Sequence, residues 1–298
     1  MQQSRNAIAL LITVMFVIVI TVAIGYGLKQ VNTASAMVKE ENFIYQNNIT
    51  IEDVLTILQN SQELQRVADS NSSEELYLLL SEAAFIPFEY KGIEILLRLK
   101  SARAKFNPKI LNAQRAEMLR LYLQNYNING QYVDMLFDNI GGIKEDNSYT
   151  TAIFDENPSL FRDYIASAKH LELINDFYTK EYNDNALKKV DFSQLFIYGD
   201  NNNSSIDLNF ATPAVWEMML GCSQDRAEVL SSGMGSYTDL QSVNLSSDEQ
   251  ANLAKFKTSF FEPIIEVELG ISQNGLNSKV KFEYDMKNKK GSNFVYEI

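Results

Sequence analysis

Histidine and cysteine are almost absent from this chain, which has one of each, His170 and Cys222. A single cysteine excludes an intramolecular disulfide and a cysteine-based metal cluster. A single histidine excludes zinc sites built from several histidines and removes the commonest general base of enzymes. We therefore interpret Cys222 as a small buried apolar residue and His170 as a surface or half-buried helix residue.

Positive charge is also scarce. The chain has 26 Lys and Arg against 38 Asp and Glu, which gives a formal net charge of -12. Nucleic-acid binding depends on Lys and Arg that neutralise phosphates. The composition therefore disfavours nucleic acid as a partner, and it disfavours anionic lipid head groups for the same reason.

Catalytic motifs are missing as well. The glycines Gly233 and Gly235 follow no predicted strand and precede no lysine at P-loop spacing, so they indicate a turn that ends a helix. Glu266 and Glu268 alternate with apolar residues, a pattern typical of the exposed polar face of a strand. Trp216 is expected to pack in a helical core. The sequence predicts a protein that is not an enzyme.

One apolar run stands out near the start of the chain. Residues 7–28 carry no charge and, as a helix, would extend roughly 33 Å, enough to cross a bilayer. Arg5 precedes the run and acidic residues follow it, which predicts a cytoplasmic N-terminus and places residues 30–298 on the other side of the membrane. A single-pass membrane protein is expected, and the resemblance described below implies the inner membrane and a periplasmic C-terminal domain. A cleaved secretory signal with a site at residues 34–36 is the alternative.

The remaining sequence changes its periodicity twice. Residues 51–58 have helical spacing, and Ser72 with Glu75 resembles a capping box that opens a helix ended by Pro87. Apolar residues then alternate along 93–99, as in a strand. Residues 108–257 are helical in pattern, and period two returns from 263 to the end, around the turn residues Asn274 and Gly275. The pattern predicts an α+β fold with a small antiparallel sheet and a large all-α insertion.

A polar loop near residue 200 suggests calcium. Asp200, Asn202 and Ser204 occupy the first, third and fifth positions of an EF-hand-like loop, but Ser205 and Ala211 stand where such a loop has Gly and a bidentate Glu. A solvated turn is the main interpretation. Calcium binding by Asp200, Asn202 and Asp207 is a testable hypothesis, and no other cofactor is expected.

Four segments together resemble the minor pseudopilin K family of the type II (general) secretion pathway. AIALLITVMFVIV, which follows Asn6, is similar to a prepilin-type N-terminus, and KFNPKILN at Lys105 is similar to the family segment that leads into its helical insertion. The run from Ser167 to Leu220 and the segment TSFFEPIIEVELG at Thr258 resemble later parts of the family pattern.

The resemblance implies a domain plan. Residues 1–6 would be a leader, 7–28 a transmembrane helix, and 29–107 a periplasmic helix with the first strands. Residues 108–258 would be an inserted helical domain with two sterile-alpha-motif-like (SAM-like) halves, 108–157 and 158–258. Residues 259–298 would complete the sheet.

The resemblance also implies a role. The protein would lie at the tip of a periplasmic pseudopilus and support export of folded proteins across the outer membrane. Its partners would be minor pseudopilins I and J, the major pseudopilin and the inner membrane, with exoprotein cargo.

The N-terminal segment departs from the general pseudopilin pattern at two positions. Asn6 stands where leaders normally end in Gly, so the predicted processing site is Asn6-Ala7. Leu11 then becomes the fifth mature residue, where most pseudopilins have Glu. The lack of Glu at this position is a further resemblance to the protein K family. Within the membrane we expect helix packing through Ala7, Ala9, Leu11, Ala23 and Gly25, because small residues allow close helix contacts.

Two other interpretations fit the sequence. The chain could be a minor pilin of a type IV pilus or of a DNA-uptake system, which would share the leader. It could also be a membrane-anchored periplasmic binding domain that keeps Met1 and does not polymerise.

Overall fold

The structure is a computed structural model that describes residue 41 and residues 43–90, 92–201, 204–273 and 275–297. The predicted leader, the processing site Asn6-Ala7, and the packing positions Ala9, Leu11, Ala23 and Gly25 lie outside these residues. Among the helices that are described, none combines the length and the apolarity needed to cross a bilayer.

A five-stranded antiparallel sheet organises one part of the chain. Its strands lie in the order β1-β2-β5-β6-β7. Their bounds are β1 Ile86–Tyr90, β2 Ile93–Ser101, β5 Ile264–Gln273, β6 Leu276–Asp285 and β7 Lys290–Glu297. The prediction of an α+β fold with an antiparallel sheet is therefore confirmed, and β5, β6 and β7 form the expected meander.

The hairpin between β5 and β6 follows the predicted turn. Gln273 pairs with Leu276 across the two turn positions. Gly275 has a φ of 80°, a left-handed conformation that glycine adopts without the cost of a Cβ atom. This turn fixes the register, so that Ile265, Val267, Leu269 and Ile271 all face the core.

Three helices cover one face of the sheet. They are α1 (residues 43–60), α2 (Gln62–Ser70) and α3 (Ser73–Glu82). The apolar stripe predicted on α1 is buried, as Ile51, Val54 and Leu58 join the alternating apolar residues of β2, β5 and β6 in one hydrophobic core. The side chains of Ser61 and Ser72 accept hydrogen bonds from the first turns of α2 and α3.

The chain leaves the sheet after β2 and returns at β5, although these two strands are neighbours. Between them, among the described residues, lie nine α-helices, two short 3-10 helices (Pro108–Ile110 and Ala186–Lys189) and a two-stranded parallel pair, β3 (Ile206–Asp207) and β4 (Thr258–Ser259). The helices are α4 Ala113–Gln124, α5 Gln131–Ile140, α6 Ile153–Glu156, α7 Ala168–Tyr182, α8 Phe192–Leu195, α9 Pro213–Leu220, α10 Gln224–Ser232, α11 Leu240–Val243 and α12 Ser247–Leu253.

This helical insertion has a hydrophobic core of its own. The buried cluster begins at Phe106 and ends at Phe256, and it is separate from the cluster under the sheet. Trp216 lies fully buried within it and packs edge-on against Tyr237. The core is continuous across residues 157 and 158, and the division into two SAM-like halves stays a prediction.

Strand β1 differs from the sequence prediction. Pro87 does not stop a helix, because α3 already ends at Glu82 and Pro87 lies within β1, opposite Leu96. A proline has no N–H to donate, but an edge strand leaves one row of its backbone groups unpaired, so it tolerates proline there. The short apolar segment before β2 therefore adds an outer strand to the sheet.

Candidate functional site

Two of the three calcium candidates lie in the described part of the chain, and their surroundings differ. The carboxylate of Asp200 is about half exposed and lies 3.8 Å from the amino group of Lys109, which is closer to Asp163. Asn202 lies outside the described residues. An exposed carboxylate beside a lysine resembles an ordinary surface ion pair.

Asp207 is fully buried in β3. One of its carboxylate oxygens accepts a hydrogen bond from the backbone N–H of Asn209 at 3.0 Å, and the other accepts from that of Glu262 at 2.9 Å. Burial raises the pKa of Asp207 to about 7, and the two N–H donors oppose this rise. The carboxylate therefore ties β3 to the segment that returns to the sheet.

Metal-ligand geometry does not appear in the described residues. No group of three or more His, Cys, Asp or Glu side chains there is placed to hold a metal ion. Because Asn202 and residue 203 are outside the description, calcium binding at Asp200, Asn202 and Asp207 stays a prediction.

The junction between the sheet and the insertion contains a buried ion pair. A guanidinium nitrogen of Arg103, just after β2, lies 2.8 Å from a carboxylate oxygen of Glu283 in β6. Both side chains are almost completely buried, so each charge depends on the other for compensation. The pair fixes the point at which the chain leaves the sheet.

Asn209 forms the second polar element of this junction. Its side-chain amide donates to the carbonyls of Tyr237 and Phe260 at 2.8 and 2.7 Å, and its carbonyl accepts from the N–H of Tyr237. The hydroxyl of Ser73, at the start of α3, also donates to the Phe260 carbonyl. One buried asparagine thus joins the insertion to the returning chain, and the chain in turn contacts the helices over the sheet.

The sheet face opposite α1–α3 is a charged surface that we call the outer sheet face. Four cross-strand rows from β2, β5 and β6 make it up, and their members are opposite one another in the strand register. The rows are Glu94-Ser272-Asn277, Leu96-Gly270-Lys279, Arg98-Glu268-Lys281 and Lys100-Glu266-Glu283.

Two carboxylates on this face, those of Glu268 and Glu283, are largely buried. Glu268 is only 8% exposed and lies 3.1 Å from Lys279 and 3.5 Å from Arg98. The expectation that Glu266 and Glu268 form a solvent-exposed polar face is therefore wrong for Glu268. The longer Arg and Lys side chains of neighbouring strands extend over it, and strand alternation alone gives no information about such cross-strand partners.

The single histidine and the single cysteine of the chain, His170 and Cys222, lie in buried or half-buried positions. His170 is buried in α7 rather than on the surface, and its Nδ1 accepts a hydrogen bond from the N–H of Ala166 at 3.1 Å. Burial lowers its pKa, which favours neutral imidazole. Burial also raises the pKa of the half-buried Cys222 thiol to about 11, so little reactive thiolate forms near neutral pH.

The described residues thus define an α+β chain with two hydrophobic cores, a buried polar junction and a charged outer sheet face. No protein-family model matches the sequence, and no curated protein matches it. Among solved structures, the fold is similar to a chain in the crystal structure of the GspK-GspI-GspJ complex from the enterotoxigenic Escherichia coli type 2 secretion system. That similarity covers 83% of this chain and 96% of the other chain, with 13% sequence identity and a TM-score of 0.48. A similarity this distant assigns no residue role, partner or activity to the present chain.

Proposed function

We propose that this protein is a minor pseudopilin at the tip of the periplasmic pseudopilus of a type II secretion system. In this role it is a single-pass inner-membrane protein with its C-terminal domain in the periplasm. It has no catalytic activity and supports export of folded proteins by assembling with other subunits.

The observation that supports the proposal best is the order of features along the chain. An uncharged apolar run is followed by a helix that packs on a small sheet, and a helical insertion then separates two neighbouring strands. The same order underlies the resemblance of the four sequence segments to the pseudopilin K family. The insertion adds a second globular unit beside the sheet, and a unit of this size would block addition of another subunit above it.

The partners in this proposal are the minor pseudopilins I and J and the major pseudopilin. Residues 7–28 would anchor the protein and, after processing between Asn6 and Ala7, pack against the corresponding helices of neighbours. Leu11 leaves the membrane segment without the carboxylate that most subunits have, and an ionised side chain inside a bilayer is energetically costly.

N-terminal sequencing tests the class of protein directly. The full chain would be purified from membranes of cells with and without prepilin peptidase. We expect a mature start at Ala7 that is lost in the peptidase mutant. A start at Met1 in both strains would contradict the proposal and favour the anchored domain that does not polymerise, and a start after Ala36 would indicate a cleaved secretory signal.

A second experiment tests assembly through the membrane helix. Gly25→Leu adds bulk where close helix contact is expected, so we expect weaker co-purification with pseudopilins I and J but unchanged membrane insertion. Ile24→Leu keeps an apolar residue of the same size and serves as the control. Equal recovery of the partners by both variants would contradict the packing role.

A further inference from the structure

The outer sheet face has two layers of charge. The carboxylates of Glu268 and Glu283 lie beneath, each 8% exposed, and they are paired with Arg98 and Lys279 and with Arg103 respectively. Arg98 and Lys279 are more exposed than the Glu268 carboxylate that they pair with, whereas Arg103 is buried together with Glu283. The accessible layer is consequently more positive than the residue count of the face suggests.

Three lysines near one end of this face have no such partner. Lys100 in β2 is exposed, while Lys281 in β6 and Lys105 after β2 are half-buried. Within the described part of the chain, the side-chain amino group of none of the three makes a hydrogen bond or an ion pair within 4 Å. Glu266 lies opposite Lys100 in the register, yet the two do not form an ion pair. We call Lys100, Lys105 and Lys281 the lysine cluster.

The electrostatic surroundings of Lys105 contain charges of both signs. Burial lowers the pKa of Lys105, Glu266 and Asp191 oppose that effect, and the charges of Lys100 and Lys281 lower the pKa further. Like charges that act on one another in a partly desolvated place are unfavourable unless a counter-charge joins them.

Phe85 is an apolar residue at this face, and its ring centroid lies 5.2 Å from the guanidinium carbon of Arg98. The hydrophobic core that includes β2, β5 and β6 lies on the opposite face, beneath α1–α3. On the outer sheet face, Leu96 and Gly270 stand side by side and border a cavity of about 540 Å³. A bound chain segment could therefore place an apolar residue there and carboxylates over the lysines.

We propose that the outer sheet face is a docking surface for an acidic segment of a neighbouring subunit, whose carboxylates bind Lys100, Lys105 and Lys281. The inference rests on the proposed function, because it takes the occupant to be another subunit of the pseudopilus. Charge complementarity identifies the occupant: three unpaired cations select carboxylates, and pairing would be strongest where water is displaced.

Charge reversal tests the surface. The full chain with Lys100→Glu and Lys281→Glu would be co-purified with pseudopilins I and J from the same cells, beside a control with Lys188→Glu and Lys189→Glu. The control makes the same change in net charge at two exposed lysines of the insertion. We expect the first variant to lose partner recovery about tenfold or more and the control to behave as wild type. Recovery by wild type should also fall as salt is raised from about 0.05 to 0.5 M.

A pair of neutral substitutions controls for misfolding of the charge-reversed variant. Lys100→Gln with Lys281→Gln removes the charges without introducing repulsion, so we expect an intermediate loss of recovery and an unchanged circular dichroism spectrum. Full recovery of partners by both the Glu and the Gln variants would overturn the docking surface. Equal loss in the Lys188 and Lys189 control would overturn it too.

A defined probe separates this inference from the proposed function. Binding of a labelled octaglutamate peptide to the full chain in detergent would be measured by fluorescence anisotropy, with octaglutamine as the comparison. If wild type recovers no pseudopilin but binds octaglutamate through Lys100 and Lys281, the surface stands and the proposed function fails. If wild type recovers pseudopilins while the charge-reversed chain does so equally, the proposed function stands and the surface fails. Absence of both interactions in wild type overturns the surface.

Discussion

Asp207 shows how a single buried group can make this fold sensitive to pH. Its carboxyl has an ordinary pKa of 3.8, which burial in the folded protein raises to about 7. The folded state therefore holds the proton more tightly than the unfolded state. The contribution of this group to the free energy of unfolding is fully present below about pH 4 and is lost as the pH rises through 7.

The predicted consequence is a stability difference between acidic and basic conditions. We expect Asp207→Asn to lose stability at pH 5, because an amide cannot accept from both backbone N–H donors, and to remove the decrease between pH 5 and pH 8, which is on the order of a few kcal/mol. Urea unfolding of the full chain in detergent measures both. Asp200→Asn, at an exposed carboxylate, is the control. A variant with the pH dependence of wild type would contradict the assignment to Asp207.

The Arg103–Glu283 pair leads to a different prediction at the residue scale. Removing one partner leaves the other as an uncompensated buried charge, so Arg103→Met should lower the free energy of unfolding by about 3–5 kcal/mol. Replacing both, with Arg103→Met and Glu283→Leu, should restore much of that loss. Chemical denaturation of the two variants measures the difference. A double variant that is less stable than Arg103→Met would show that the pair acts through hydrogen bonds rather than charge compensation.

These residues also show the limit of prediction from sequence. Alternation along the strands predicts which side chains face the core, and the burial of Ile265, Val267 and Leu269 follows it. The partners of Glu268 and Glu283 come from strands β2 and β6 and from the loop after β2. Only the three-dimensional register brings those residues together, because local spacing contains no information about pairing between distant strands.

At the scale of elements, the contact between α3 and the insertion depends on one glycine. Gly235 has a φ of 80°, and a Cβ atom there would lie 2.8 Å from the Cβ of Tyr77. A side chain at this position would therefore both strain the backbone and push α3 away from the loop after α10. The sequence indicates only a turn at this point, since the close approach depends on how two distant elements pack.

Gly142 provides a matched comparison for this contact. It has a similar φ of 77° but no neighbour within 4 Å of a built Cβ. We expect Gly142→Ala to cost about 1–2 kcal/mol for the left-handed conformation alone, and Gly235→Ala to cost clearly more. Thermal unfolding of both variants measures the two costs. Equal costs would mean that Tyr77 moves aside without loss.

Elements differ in how well the sequence predicts them. The β5-β6 hairpin is predicted to within a residue or two because its turn glycine and its alternating strands agree with each other. Strand β1 is missed because Pro87 suggests a break, although an edge position accepts proline. The prediction that the insertion is helical is correct. Which of its residues form the core depends on long-range packing, which local sequence patterns do not contain.

At the scale of the whole molecule, the insertion is attached at one narrow place. The N–H of Ala102, after β2, donates to the carbonyl of Ile264, at the start of β5, at 3.0 Å. The two ends of the insertion are therefore as close as the ends of a hairpin turn. Each of the two units also has its own hydrophobic core.

This attachment predicts that the sheet unit can fold without the insertion. Residues 103–263 would be replaced by Asn-Gly, which favours a two-residue hairpin turn, together with Glu283→Gln to avoid an unpaired buried charge. We expect a shorter chain with cooperative unfolding, less helix by circular dichroism and reduced stability, because contacts at the junction are lost. An aggregated or non-cooperative product would show that the sheet depends on the insertion.

The closeness of the insertion's two ends also affects the order in which the chain can fold. Strands β2 and β5 are distant in sequence, and closing a long flexible loop before any contact forms is entropically unfavourable and slow. An insertion that first forms its own core brings Ala102 and Ile264 together and shortens the effective loop to almost nothing. The parallel β3-β4 pair and the Asp207 contacts with Asn209 and Glu262 would then hold the two ends of the insertion close together. Sheet formation would therefore be the late step, and substitutions in the insertion core would slow the appearance of the sheet as well as the helices.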